Sequence, residues 1–331
     1  MPPQRSTVLL PIAALSAALV LSACTTDGGA GGDDGSVRIG TAGEGGTYYY
    51  LGTAFAQELR DEAEITADSV ATAGGTENIR RVGSGDLDLA FATIDDFKTV
   101  MADDEWSEDD FTTLGTGHLT VQQPVVAADS GITTLEEMAQ PDNRLAVGEP
   151  GSAVQLNAAL LLGAYEVGVE DVNGFEISQA AAAEELKNGQ LDGAYLGGGV
   201  PLAAITDLTT SGSYRVLPAD QKTIDYWSEN TAYVETTIPA GSYDGQEEDL
   251  TAIGQPTVLV VSSEMSEELA HDIIEVFQTR GPEMGDVHPA ATEYTVENAF
   301  RDRDFIEDEA GLSYHPGAIK WYEENDAWEE E

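Results

Sequence analysis

The sequence predicts an α/β fold with two related lobes, and three observations support this prediction. Candidate strands and helices alternate along the chain from residue 37 onward, which is typical of sheets covered by helices and favours largely parallel sheets. A strand, a glycine turn and a helix begin at Ile39, and the same order recurs at Val147. Hydrophobic residues make up 41% of the 331 residues, so packed cores can form.

The first run of alternating elements covers residues 37–128. Short aliphatic and β-branched segments favour strands, and the segments between them favour helices. The expected elements are a strand at 37–41, a helix at 50–61, a strand at 65–70, a helix at 77–83, a strand at 87–92 and β-branched stretches around Pro124 within 114–128.

The second run repeats this order further along the chain. The expected elements are helices at 134–139, 152–165 and 180–188, strands at 144–148, 174–177 and 191–196, a strongly β segment at 257–262 and a helix at 264–280, with Ser266 as its cap. Residues 85–91 and 189–195 are also similar, and both follow a helix and lead into a strand. Two related lobes explain these similarities, and chance is the alternative.

Charge and cysteine content exclude several functions. The chain has 61 acidic and 14 basic residues, for a net charge of −47, which argues against binding to nucleic acid or to anionic lipid headgroups. A heavily solvated surface suited to salt explains this acidity. One cysteine excludes an intrachain disulfide framework and a thiolate-rich zinc site. We predict no metal and no cofactor.

The N-terminus has the features of an export signal. Arg5 precedes an apolar stretch at 8–21, and the small residues Ser22 and Ala23 precede Cys24. We predict a lipoprotein signal peptide at 1–23, lipidation of Cys24 and a flexible Gly/Asp-rich tether at 24–35. An ordinary signal peptide with a chance cysteine is the alternative. The protein is expected outside the cytoplasm, anchored by lipid to the outer face of the cytoplasmic membrane.

Two glycine loops are candidate binding elements. Residues 40–47 and 148–154 each join a strand to a helix, and the amides at a helix N-terminus favour an anion. The first loop lacks a dinucleotide fingerprint and a P-loop lysine. Since ligands of open α/β sheets bind at the carboxyl ends of strands, the two loops are expected to face one cleft. Tight turns, with Ser152 only as a helix cap, are the alternative.

Six segments carry a resemblance to a known family. Residues 39–59, 74–95, 145–154, 191–208, 237–261 and 315–324 resemble, in order and spacing, the TAXI-type solute receptors of tripartite ATP-independent periplasmic (TRAP) transporters. The similarity covers nearly all of the globular region, and its first and fifth segments are the more specific.

The resemblance implies a fold, a function and a partner. The fold is the two-lobed type II periplasmic-binding-protein architecture, with lobe one at 36–124 and 257–331 and lobe two at 125–256. The function is capture of a small carboxylate or amino acid, such as glutamate or glutamine, in the cleft between the lobes. The partner is an integral-membrane TRAP permease driven by an ion gradient, and the receptor is expected to be a monomer.

The resemblance also implies ligand-binding residues, which we place on this sequence one by one. They are Gly43, Gly46, Thr47, Tyr48, Tyr49, Thr76, Asn78, Asp95, Pro150, Gly151, Ser152, Tyr195 and Gly198. Ala153 and Val154 depart from the family pattern, so a hydroxyl that could contact the ligand is missing. Glu44 also departs from it and would repel an anion or attract an ammonium group.

Two other functions remain open from the sequence. A substrate-binding lipoprotein of an ATP-driven (ABC) importer has the same fold and is the alternative to the TRAP receptor. An exported enzyme of this shape would need a nucleophile and a base, and the sequence contains no recognisable Ser-His-Asp or Cys-His set. We therefore expect a binding protein and not an enzyme.

Overall fold

The structure is a computed structural model that describes residues 36–103, 105–301 and 303–328. The predicted signal peptide, Cys24 and the tether lie outside the described residues. The strands are β1 (Val37–Gly40), β2 (Ala67–Val70), β3 (Leu89–Thr93), β4 (Phe111–Gln122), β5 (Val125–Ala127), β6 (Arg144–Ala146), β7 (Asn173–Phe175), β8 (Gly193–Ala194), β9 (Gly197–Gly198), β10 (Tyr214–Val216), β11 (Val234–Ile238) and β12 (Leu250–Ser262).

Helices follow most of these strands along the chain. The α-helices are α1 (Thr47–Glu62), α2 (Gly75–Gly83), α3 (Ile94–Met101), α4 (Leu135–Met138), α5 (Ala153–Gly163), α6 (Gln179–Lys187), α7 (Ala203–Ser211), α8 (Gln221–Asn230), α9 (Glu267–Arg280) and α10 (Pro316–Glu324). In the part of the chain that the structure describes, no helix is long and apolar enough to cross a bilayer.

The strands form two sheets, and both are mixed. The first has the order β2-β1-β3-β12-β4-β9, with β11 also paired to β12, and the second has the order β10-β5-β8-β6-β7. Among the strands given above, β1 pairs in parallel with β2 and β3, and β6 pairs in parallel with β7 and β8. The α/β class is confirmed, but the expectation of largely parallel sheets is wrong, because β4, β5, β9, β10, β11 and β12 all pair antiparallel.

Each sheet is covered by helices on both faces. On the first sheet, α1, α9 and α10 bury residues such as Phe55, Phe277 and Tyr322 on one face, and α2 and α3 bury residues such as Ile79 and Phe97 on the other. On the second sheet, α6 and α7 cover one face and α4, α5 and α8 the other. Each sheet with its covering helices forms one half of the protein. Removal of these apolar side chains from water is the main stabilising contribution to both halves.

Two passages of the chain mark candidate boundaries between the halves. β4 ends at Gln122 in the first sheet, and β5 begins at Val125 in the second. β12 starts beside the second half, where Ala252 and Ile253 join its two cores, and from Thr257 it pairs with β3. On this basis we propose 36–124 with 257–331 as lobe one and 125–256 as lobe two, although β9 and β11 extend the first sheet.

The two halves share one detailed side-chain arrangement. The Arg38 backbone N–H and Nε both donate to Asp88 Oδ2, at 2.7 and 3.0 Å. The Arg144 backbone N–H and Nε donate in the same way to Asp192 Oδ2, at 2.9 and 3.1 Å. Arg38 lies on β1 and Arg144 on β6, and each aspartate directly precedes a strand that pairs in parallel with that strand, β3 or β8. This agreement supports the internal similarity detected in the sequence around 85–91 and 189–195.

Candidate functional site

A cavity of about 70 Å³ lies between the two halves. Its walls come from the loops after β1, β2, β3, β6 and β7, together with β4 and β9. β1, β2, β3, β6 and β7 belong to the parallel part of the two sheets, so the carboxyl ends of these five strands point toward the same space. This is the position at which open α/β sheets bind ligands.

Five helix N-termini meet at this cavity. The residues that precede α1, α2, α3, α5 and α6 all line it, and they are Gly46, Gly74, Thr93, Ser152 and Ser178. Helix N-termini carry partial positive charge and free N–H groups, so their convergence favours a negatively charged group. Among the described residues that line the cavity, none is lysine, arginine or histidine.

The starts of these helices differ in what their amides already contact. Gly46 makes no side-chain cap to α1, so amides at this helix start stay available to a ligand. In the first half, Asp96 accepts the Thr76 backbone N–H at the start of α2, and Thr93 caps α3 with its hydroxyl oxygen. In the second half, Ser152 and Ser178 cap α5 and α6 with their hydroxyl oxygens. Since each serine oxygen accepts a backbone N–H, its own proton remains free to donate.

Other polar side chains in the cavity are oriented by hydrogen bonds. Thr47 Oγ1 accepts the Gly199 backbone N–H at 2.8 Å. Asn157 Oδ1 accepts the Tyr233 hydroxyl at 2.9 Å, and this leaves the Asn157 amide group as the donor. In both side chains the oxygen atom already accepts a hydrogen bond. The Thr47 hydroxyl and the Asn157 amide nitrogen are therefore oriented to donate to a ligand.

A buried network lies under the cavity floor. The hydroxyls of Tyr48, Thr120 and Thr257 form a triangle with oxygen–oxygen distances of 3.2–3.3 Å. His118 lies behind it, with Nε2 3.4 Å from Thr257 Oγ1 and Nδ1 3.1 Å from the Tyr294 hydroxyl. Burial lowers the pKa of His118 to about 3, so the imidazole is neutral at pH 7 and adds no positive charge to the site.

Within the part of the chain that the structure describes, the charged side chains that line the cavity are the carboxylates Glu44 and Glu149. Glu44 is exposed and Glu149 is half-buried. Glu149 Oε2 lies 4.0 Å from the position that a Cβ atom would take on Gly43, so this carboxylate is close to the first glycine loop. An ammonium group on a solute would find its counter-charge here, while an acidic group would bind at the helix N-termini.

The two halves approach each other closely around the cavity. A Cβ atom built on Gly45 would lie 3.5 Å from Ala180 Cβ, and one built on Gly74 would lie 4.0 Å from the Ala153 backbone nitrogen. These glycines belong to the loops before α1 and α2, whereas the two alanines begin α6 and α5. The structure therefore has a cleft that is closed down to a small cavity.

Six of the residues expected from the sequence line the cavity. They are Gly43, Gly46, Thr47, Tyr48, Ser152 and Gly198. The glycine loops after β1 and β6 bring them together from the two halves. Tyr48 contributes at the floor and is itself buried against Phe91, at a ring distance of 5.4 Å.

The other seven expected residues lie elsewhere, and two of them are structural. Asn78 is fully buried, and its amide donates to the backbone oxygens of Thr41 and Phe91, so it ties together the ends of two strands. Tyr195 is buried in a core of the second half. Packing and backbone satisfaction account for both positions without a ligand.

The remaining five lie around the outside of the cavity. Tyr49 lines a surface depression, Pro150 is exposed, and Thr76 and Gly151 line an outer groove between the halves. The Thr76 hydroxyl donates to Asp96 at 2.8 Å. Asp95 accepts the Ala232 backbone N–H at 3.2 Å, away from the cavity.

Several lining residues were not expected from the sequence, and they include Thr120, Asn157, Ser178 and Gln179. Ser178 could have been found, because it lies two residues before the expected helix at 180–188, much as Ser152 stands at the start of the expected helix at 152–165. Asn157 and Gln179 lie on helices, and their sequence context gives no signal that they face a cleft.

One group of ligand-type side chains lies away from the cavity. His271, Asp272 and Glu275 on α9 have potential metal-binding atoms within 4.8 Å of one another. Both ring nitrogens of His271 already contact carboxylates, Asp272 at 3.2 Å and Glu324 at 3.1 Å. These ion pairs account for the cluster as surface electrostatics.

Comparison with known proteins gives one family match and a common fold. The sequence profile of the NMT1-like family matches residues 39–325. The periplasmic binding protein BugD has a similar structure, with a TM-score of 0.55 and 15% identity over 85% of this chain and 98% of that chain. These findings support the periplasmic-binding-protein-like fold.

Two further solved structures share this fold. A binding protein component of an ABC phosphonate transporter from Pseudomonas aeruginosa has a TM-score of 0.52 and 12% identity over 88% of this chain and 94% of that chain. PhnD1 from Prochlorococcus marinus, solved with methylphosphonate, has a TM-score of 0.51 and 10% identity over 84% of this chain and 98% of that chain.

Proposed function

The chain belongs to the NMT1-like family, and from this premise we propose that it is an extracytoplasmic solute receptor. It captures a small carboxylate or amino acid, of the glutamate or glutamine kind, and delivers it to a membrane transporter. The observation that carries the proposal is the convergence of five helix N-termini on one closed cavity between two α/β halves.

The cavity's chemistry supports binding without turnover. Uncapped amides at α1 and the hydroxyls of Thr47, Ser152 and Ser178 would hold an acidic group. Glu44 and Glu149 would hold an ammonium group, so a zwitterionic amino acid fits both features. The hydroxyl oxygens of Thr47, Ser152 and Ser178 each accept a backbone N–H. Among the described residues, no lysine or histidine lines the cavity to act as their base.

A ligand screen tests this proposal. Thermal unfolding of residues 25–331 would be followed at low and high salt with glutamate, glutamine, aspartate, 2-oxoglutarate, succinate and methylphosphonate. A ligand at about 100 times its Kd adds about 2.7 kcal/mol of stability, which raises Tm by a few degrees. Saturable stabilisation without consumption of the ligand is expected. No stabilisation, together with an empty cavity in native mass spectrometry, would contradict the receptor function.

The transporter that receives the solute has two candidates. We place an ATP-driven ABC importer first, because the fold is similar to a binding protein component of an ABC phosphonate transporter. The TRAP permease is the second candidate, because the six sequence segments described above resemble TAXI-type receptors. Uptake into membrane vesicles distinguishes them: orthovanadate blocks an ATP-driven importer, whereas collapse of the ion gradient blocks a TRAP permease.

Lipid anchoring is the remaining part of the proposal and rests on the sequence at Cys24. A Cys24→Ser variant is expected to be released from the membrane fraction, while the wild-type chain incorporates a labelled fatty acid and stays bound. Release of both proteins, or retention of both, would contradict the anchor and leave the receptor function unaffected.

A further inference from the structure

Gln179 lies on the cavity wall with its carboxamide in a fixed orientation. It is the first residue of α6, and its Oε1 accepts the Gly197 backbone N–H at 3.0 Å. A backbone N–H can only donate, so the oxygen of the carboxamide must face Gly197. The usual ambiguity between the two ends of a glutamine side chain is therefore resolved at this residue.

The other end of this carboxamide faces the start of α1. Gln179 Nε2 lies 3.6 Å from the position that a Cβ atom would take on Gly46, and Gly46 precedes α1 without a side-chain cap. Among the described residues, no hydrogen bond from Nε2 is found. Two N–H donors of Gln179 are thus placed beside the uncapped amides of α1, on opposite sides of the cleft.

We infer that Gln179 is a specificity-determining residue that selects solutes by an oxyanion, such as a carboxylate or phosphonate, placed against α1. The inference rests on the proposed receptor function and names the group that this part of the site recognises. A solute that presented an ammonium group at this position would meet N–H donors from both halves. Mismatched polar partners in a closed site are strongly rejected.

A purely structural role for Gln179 is the rival explanation. In that case the side chain would only satisfy the Gly197 N–H, and replacing it would lower stability without changing which ions bind. Gln179→Glu separates the two roles. The new carboxylate can still accept the Gly197 N–H, but it replaces two donors with a negatively charged acceptor.

Gln155 provides a matched control. Its Oε1 also accepts a glycine N–H, from Gly151 at 3.0 Å, and its side chain lies near the start of α5. It does not line the cavity, and it faces the outer groove, where it contacts Glu176. Gln155→Glu therefore makes the same change of charge near the same cleft, outside the proposed site.

The test measures Tm of the full mature chain against acetate, inorganic phosphate and methylammonium at matched ionic strength. Wild type and Gln155→Glu are expected to show saturable stabilisation by at least one of the two anions and a weaker response to methylammonium, which Glu44 and Glu149 can bind. Gln179→Glu should need at least about tenfold more anion and should gain in its response to methylammonium. Gln179→Met, which removes the donors and roughly keeps the volume, should lose the anion response without that gain.

Three results would overturn the inference. They are equal anion responses in wild type and Gln179→Glu, a wild-type preference for methylammonium, and no response of wild type to either anion. If these occur while the solute screen still identifies a ligand, the receptor function stands and Gln179 is only structural. If the screen also fails and the cavity is empty in native mass spectrometry, the receptor function itself fails.

Discussion

Thr47 and Gly199 are joined by a hydrogen bond in which the Gly199 backbone N–H donates to Thr47 Oγ1 at 2.8 Å. Thr47 is the first residue of α1, and Gly199 directly follows β9. Gly197, two residues earlier, donates to Gln179 at the start of α6. The segment 197–199 therefore holds one side chain from each half of the cleft.

We predict that Thr47→Val destabilises the protein by about 1–3 kcal/mol, because it leaves the buried Gly199 N–H without an acceptor. Valine keeps the shape of threonine and removes the hydroxyl. Thr47→Ser restores the acceptor and should recover most of the stability. Urea unfolding measures both variants, and equal stability of the valine variant and wild type would contradict the prediction.

The paired Arg–Asp contacts give a second prediction. Asp88 has a side chain that is 3% exposed, whereas that of Asp192 is 27% exposed. Asp88→Ala removes the acceptor of the Arg38 backbone N–H and Nε in a drier setting, so it should cost about 1–3 kcal/mol. Asp192→Ala makes the same change where water can replace the carboxylate.

Asp192→Ala should therefore cost clearly less than Asp88→Ala when both are measured by urea unfolding under one set of conditions. If Asp192→Ala instead lowered the free energy of unfolding more than Asp88→Ala, burial would not determine how much this contact stabilises the protein. The comparison is well matched, because each aspartate accepts the backbone N–H and Nε of one arginine.

The sequence was sufficient to predict the alternation of elements and the glycine loops, because both depend on local signals. Strand, glycine turn and helix recur around Ile39 and Val147, and the structure builds β1 with α1 and β6 with α5 there. The direction of strands was not predictable in the same way. β12 pairs antiparallel with β3 and β4 across large separations in sequence, and no local pattern encodes that partner.

Side-chain direction limited the prediction of the site. Asn78 lies in the first turn of α2, whose N-terminus lines the cavity, but its amide donates to two backbone carbonyls instead. Gln179 points into the cavity only because Gly197 holds its oxygen. Both outcomes depend on backbone groups contributed by other strands, so a single residue's context does not determine them.

The pH dependence of stability gives a third prediction. Asp95 is largely buried, and burial, with a smaller effect of neighbouring Asp96, raises its pKa to about 6. The folded state therefore binds this proton more tightly than the unfolded state, whose value is near 3.8. As pH rises from about 4 to 6, ionisation of Asp95 should cost the folded protein up to about 3 kcal/mol.

Asp95→Asn removes this ionisation and keeps an oxygen for the Ala232 N–H. The variant should be more stable than wild type above pH 6, and the difference should disappear toward pH 4. Urea unfolding from pH 4 to 8 measures it. His118 has the opposite effect on stability, because its low pKa makes acid destabilising. Both proteins contain His118, so its effect cancels when their free energies of unfolding are subtracted. A difference that does not change with pH would contradict the assignment.

The last prediction concerns closure of the cleft, which brings Gly45 of one half against Ala180 of the other. A Cβ atom on Gly45 would already lie 3.5 Å from Ala180 Cβ, so no large side chain fits between the halves at this point. We expect Ala180→Trp to hold the halves apart. Ligand affinity should then fall by at least about tenfold, because the donors on α1 and α6 can no longer contact one solute.

Each half should keep its own core in this variant, because Ala180 is partly exposed and lies outside the core clusters. Tm without ligand should therefore change little, while small-angle scattering should show a larger radius of gyration. Glu184→Trp, at an exposed position one turn further along α6, is the control and should bind normally. If Ala180→Trp bound ligand as tightly as wild type and kept the same radius, binding would not require the closed arrangement seen here.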